Sequence, residues 1–64
     1  MKVELIKRTA TGNIYGVYED SGRPVGQVDW IMAGPNVGIE YYSLTSDYPR
    51  YKIRKIFRAC YYKT

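Results

Sequence analysis

This sequence predicts an α+β fold: a four-stranded antiparallel sheet, wound as a meander, with one C-terminal helix packed on one face. Three observations predict it. Turn-forming clusters cut residues 1–44 into four segments of similar length. Each segment alternates apolar and polar residues with the period of a half-buried strand. The last sixteen residues, PRYKIRKIFRACYYKT, change to the 3.6-residue period of an amphipathic helix.

The turn signals are Thr11-Gly12-Asn13, Asp20-Ser21-Gly22-Arg23-Pro24 and Ala33-Gly34-Pro35-Asn36. Between them, strands are expected at about 2–9, 13–20, 25–32 and 37–44. Their connections are too short for parallel crossovers, so neighbours must run antiparallel. Alternation puts Val3, Leu5, Val28, Trp30, Met32, Ile39 and Tyr41 on the inward face. Strand two fits either of two settings, Ile14 with Tyr18 or Tyr15 with Val17. The outward face carries Glu4, Asp29 and Glu40, and with them Ile6, Ile31, Tyr42 and Leu44, an apolar set unusual for a solitary monomer.

The helix is expected over 47–62. Ile53, Ile56, Phe57, Cys60 and Tyr61 fall at i, i+3, i+4, i+7 and i+8, one continuous apolar stripe. Tyr51, Arg54, Lys55, Arg58 and Tyr62 gather on the other side of the wheel. Thr45, Ser46 and Asp47 offer caps, and Pro49 suits a first turn, although it leaves the cap to Tyr48, a poor capping residue. Read instead as a strand, the tail has alternation broken at Lys55 and an unusual length; that alternative would make an all-β five-stranded small barrel.

Residues 1–64 form a single small domain, 45% apolar and 25% charged with ten aromatic rings, a composition that excludes disorder. A core this small gains little over its chain entropy. One Cys and no His leave no internal disulfide, no metal set and no cofactor to reinforce it, so a homodimer or a permanent partner is expected. MKVELIKR is not an export signal, no stretch is long enough to span a bilayer, and a free thiol suits a reducing cytoplasm.

Charge is distributed unevenly. Residues 1–49 carry Lys2, Lys7, Arg8 and Arg23 against Glu4, Glu19, Asp20, Asp29, Glu40 and Asp47, whereas residues 50–64 carry Arg50, Lys52, Arg54, Lys55, Arg58 and Lys63 against no carboxylate. Compensation of the helix dipole concerns only the last turn, so the tail's cations call for an anionic partner. The candidate binding strip is Tyr51, Arg54, Lys55, Arg58 and Tyr62, with Ile6, Ile31, Tyr42 and Leu44 as a secondary interface.

Catalysis has little support. Cys60 sits on the apolar stripe with no His to activate it, and AGPNVG lacks the ending of a phosphate loop. Glu19-Asp20 offers too few ligands for calcium, and Asp29 with Glu40 has no cleft in which to act. The leading expectation is a small docking or inhibitor-type protein, of the accessory or phage-encoded kind. It would bind an acidic or nucleic-acid-binding surface of a larger protein or nucleoprotein. The alternative is a nucleic-acid-binding module whose helix contacts DNA or RNA phosphates with little sequence preference. Acidic strands would repel phosphates, so if nucleic acid is bound the helix should hold it, whereas the apolar outward set favours a protein contact on the sheet's open side.

Overall fold

Tight connections set the topology. At the first, the Thr9 amide donates to the Gly12 carbonyl at 2.8 Å and the Gly12 amide to the Thr9 hydroxyl at 3.0 Å, so the turn closes slightly ahead of the expected Thr11-Gly12-Asn13. At the second, the Gly22 amide donates to the Glu19 carbonyl at 2.8 Å, with Gly22 at φ 94°, a conformation glycine adopts without steric cost. The computed structural model describes residues 1–32, 34–35 and 37–63. Ala33 and Asn36 of the third expected turn, and Thr64, lie outside the described residues.

The strands are β1 (Lys2–Arg8), β2 (Gly12–Tyr18), β3 (Pro24–Ile31) and β4 (Gly38–Leu44), paired antiparallel in the order β1-β2-β3-β4. A 3₁₀ turn (Arg50–Lys52) leads into helix α1 (Ile53–Lys63), which packs on one face of the sheet. The sheet is open, with β1 and β4 at its two edges. The barrel alternative is therefore excluded.

The core lies between sheet and helix: Val3, Tyr15, Val17, Val25, Val28, Trp30, Tyr48, Ile56 and Cys60, flanked by Met32, Ile39, Leu44, Ile53 and Ala59. This settles β2 in favour of Tyr15 and Val17. Leu5 shares the inward face, opposite Tyr15, yet remains 44% exposed. Asn13 is buried beside them and donates from Nδ2 to the Tyr15 hydroxyl at 3.0 Å. Two strand crossings leave no room for a side chain. A Cβ on Gly26 would sit 1.9 Å from the Ser43 carbonyl oxygen, and one on Gly12 1.8 Å from that of Trp30.

β4 departs from the expected alternation. Asp29 pairs with Tyr41 but Trp30 with Ile39, so Glu40 is an extra, bulged residue. One extra residue exchanges the two faces for everything beyond it. Ile39 opposite Trp30, Tyr42 opposite Val28 and Leu44 opposite Gly26 thus all share the helix side, while Tyr41 goes outward and is 64% exposed. The inward placement of Tyr41 and the outward placement of Tyr42 and Leu44 are corrected accordingly.

The helix starts later than expected. Pro49, at φ −64° and ψ 127°, precedes the 3₁₀ turn without a side-chain cap. Tyr48 is the reason: its ring is buried in the core, which holds the chain extended where a cap would have begun the helix. Asp47 is occupied elsewhere. Its carboxylate accepts from the Arg23 guanidinium at 3.3 Å.

The buried stripe of α1 is also narrower than predicted. Ile56 and Cys60 are fully buried and Ile53 and Ala59 partly so, whereas Phe57 and Tyr61 are 41% and 56% exposed. Phe57 meets Trp30 edge to face, with ring centroids 5.1 Å apart and planes at 62°.

Candidate functional site

α1 runs back along the sheet, antiparallel to β4. Near its start, Lys52 and Lys55 share a small pocket with Met1, Glu19, Asp20, Ser21 and Tyr48, and at its end Lys63 shares another with Leu5, Arg8, Asn13, Tyr15 and Met32. The side of α1 that turns away from β1 therefore projects over β4, the sheet's edge. Beneath it runs an open groove of about 1260 Å³, larger than the usual pocket for a drug-sized molecule. Its floor and wall are Gly38, Ile39, Glu40, Tyr41 and Tyr42, and its roof is Ile53, Arg54, Phe57, Arg58, Tyr61 and Tyr62.

Helical spacing explains the roof. Arg54 with Arg58 and Phe57 with Tyr61 are i, i+4 pairs, and i, i+4 neighbours lie on one face of a helix. Gly38 explains the depth, since a Cβ there would come within 3.3 Å of Phe57 Cε2. The glycine lets the phenyl ring settle against the strand. Beyond the groove's end, the Arg50 guanidinium lies over the Tyr42 ring at 5.9 Å, a cation–π contact, and the Tyr61 and Tyr62 rings meet edge to face at 6.0 Å.

The expected binding strip is divided by this geometry. Arg54, Arg58 and Tyr62 enter the groove, Lys55 lies on the opposite flank beside Glu19 and Asp20, and Tyr51 is 77% exposed outside both pockets. Of the secondary set, Ile6 and Ile31 keep the open face of the sheet, whereas Tyr42 belongs to the groove and Leu44 to the core margin. Sequence reading missed Phe57, Tyr61 and Glu40 as groove residues, and it placed Tyr42 on the opposite face. The available signal was the run of Arg54, Phe57, Arg58, Tyr61 and Tyr62, a mixed ridge along one flank.

Most body carboxylates are already engaged. Glu19 pairs with Arg23 at 2.5 Å, Asp47 with Arg23 at 3.3 Å, Glu4 with Lys2 at 3.0 Å, and Asp20 with the terminal ammonium of Met1. That ammonium, chiefly through its hydrogen bond, holds the Asp20 carboxyl below its ordinary range, and the field of Lys52 adds to it. Among the described residues, no cation of the tail forms an ion pair. The arginines of the roof are free to take an anionic ligand.

Nothing in the groove resembles reaction chemistry. Cys60 is buried, and burial pushes its thiol up to about 11, far from the depressed values of reactive cysteines. Among the described residues no three His, Cys, Asp or Glu come together, and no helix is long and apolar enough to cross a membrane. Compared with family models, curated proteins and solved structures, the chain matches none.

Proposed function

We propose that this is a non-enzymatic docking protein that binds an acidic surface of a larger protein or nucleoprotein through the groove between β4 and α1. The observation that carries the reading is the pair Arg54 and Arg58. They stand one helical turn apart over the β4 edge, and among the described residues neither pairs with a carboxylate. Arginine beside exposed Tyr is the composition of interface centres. The aliphatic side chains of Ile39 and Ile53, and Glu40 among the lining residues, suit a mixed protein surface better than a phosphate backbone.

Nucleic acid is the second reading. Tyr42, Phe57, Tyr61 and Tyr62 supply rings on which bases stack, with arginines at hand for phosphates. Affinity capture from a cell lysate, with and without nuclease, separates the two. The docking reading expects a partner retained after nuclease and lost on Arg54→Glu with Arg58→Glu, with the circular dichroism spectrum unchanged. Capture abolished by nuclease, together with a log–log salt slope of roughly −3 to −4 on DNA or RNA, would hand the groove to nucleic acid.

A further inference from the structure

β4 is an edge strand, and its outer rail of backbone N–H and C=O groups meets no other strand. Proteins normally blunt such edges with charge, proline, a bulge or a covering element. Here the edge carries a bulge at Glu40, beyond which Tyr41–Leu44 runs on as regular strand, and α1 roofs the space where a fifth strand would lie. We infer that the ligand itself supplies that strand: an acidic peptide in extended conformation pairs its main chain with β4 and points alternate side chains up at Arg54 and Arg58.

Two spacings agree. A strand places side chains of one face about 6.6–6.8 Å apart, and residues four apart on a helix rise by about 6 Å. Successive roof-facing carboxylates of an added strand therefore fall opposite Arg58 and Arg54 in turn, with Arg50 beyond them over Tyr42. Glu40 stands at the other end of the groove, near Gly38, and disfavours an acidic residue there. The ligand is thus acidic at alternate positions toward the Tyr42 end and neutral toward the Gly38 end. In this mode main-chain bonds supply affinity and alternate side chains supply selection.

This inference rests on the docking reading, and its test separates the two. The probe is a ten-residue peptide that alternates Glu and Thr over six residues and Ser and Thr over the other four. It is compared with two versions N-methylated at every Glu or at every Thr, with a Lys-Thr peptide, and with a thymidine decamer. The parent peptide should shift the amide resonances of Ile39–Leu44 and slow their hydrogen exchange. One of the N-methylated versions should bind at least about tenfold more weakly, because amides pointing at β4 alternate along the chain. The Lys-Thr peptide should not bind.

If both N-methylated peptides bind like the parent while Arg54→Glu with Arg58→Glu weakens it tenfold, strand addition is wrong and acidic docking stands. If the double reversal leaves the parent peptide's Kd unchanged, the docking reading falls and the inference with it. The decamer binding where the peptide does not overturns both. Protection of the β4 amides that rises with concentration in the protein alone would give the edge to a second copy of this chain, which overturns the inference as well.

Discussion

The two flanks of α1 carry similar charge and differ in everything else. On one, Lys52 and Lys55 share a pocket with Glu19 and Asp20, and Lys52 Nζ lies 5.8 Å from the Tyr48 ring centroid. On the other, Arg54 and Arg58 stand among Phe57, Tyr61 and Tyr62 over a strand edge, with Glu40 as the groove's lone carboxylate among the described residues. The lysines stand beside carboxylates that Arg23 and the Met1 ammonium already pair, whereas the arginines stand among aromatic rings. What makes a candidate site is where a cation's neighbours lie, more than how many cations the segment holds.

Both flanks hang from one buried line, Ile56 and Cys60, and cutting that line erases the comparison. Ile56→Ala should have the largest effect on stability, a loss of about 2–5 kcal/mol measured by urea unfolding. Natural domains hold only about 0.05–0.15 kcal/mol per residue, so this is a large share of what a chain of 64 residues has available. The groove should lose its roof at the same time, seen as collapse of the amide dispersion of α1 and β4. An unchanged unfolding midpoint would mean that the helix is not anchored through Ile56.

The same buried line makes stability sensitive to alkali. The unfolded Cys60 thiol ionises near 8.5–9, whereas burial raises it to about 11 in the fold. The folded pKa lies above the unfolded one, so the contribution is fully present below pH ~9 and is lost as pH rises through about 11. The loss should be on the order of 2 kcal/mol. Tyr48, raised chiefly by burial, works in the same direction. Urea midpoints measured from pH 8 to 11 should therefore fall less steeply for Cys60→Ala than for the parent chain. Equal slopes would place the thiol in contact with solvent.

Much of the fold could be read from the sequence because Val3, Val28 and Trp30 are buried on one face, and burial on one face imposes alternation. Irregularities at Ile6 and Val25 interrupt it only locally. β4 escaped because nothing in GIEYYSL marks Glu40 as the extra residue. No glycine or proline signals the bulge, and a single inserted residue moves Tyr42 and Leu44 to the opposite face. The helix was legible by its period but not by its orientation. Whether Phe57 lies beneath the helix or beside it depends on Trp30 and Gly38, which approach only in three dimensions. Tyr48 looked like a failed cap and is a core residue. The binding strip is divided between two flanks for a related reason. A helical wheel shows which residues share a side, but Glu19 and Asp20, the carboxylates that share a pocket with Lys55, come from the β2–β3 turn, remote in sequence.

The smallest expected effect is the sharpest test of the two flanks. Lys52→Gln with Lys55→Gln and Arg54→Gln with Arg58→Gln remove the same formal charge. If net charge governs binding, both pairs should weaken the Glu-Thr peptide equally. If placement governs it, the lysine pair should change Kd by less than about threefold, as for exposed charges acting only through a screened field. The arginine pair should then lose about tenfold or more, the loss expected when hydrogen bonds to charged groups are removed. Glutamine is preferred to glutamate on the lysine flank because new carboxylates beside Glu19 and Asp20 would add repulsion of their own. Titrations at two salt concentrations complete the experiment: the arginine-pair deficit should persist at the higher salt and the small lysine-pair deficit should vanish. Equal losses at both concentrations would show that the tail acts as undirected charge and that the groove has no special standing.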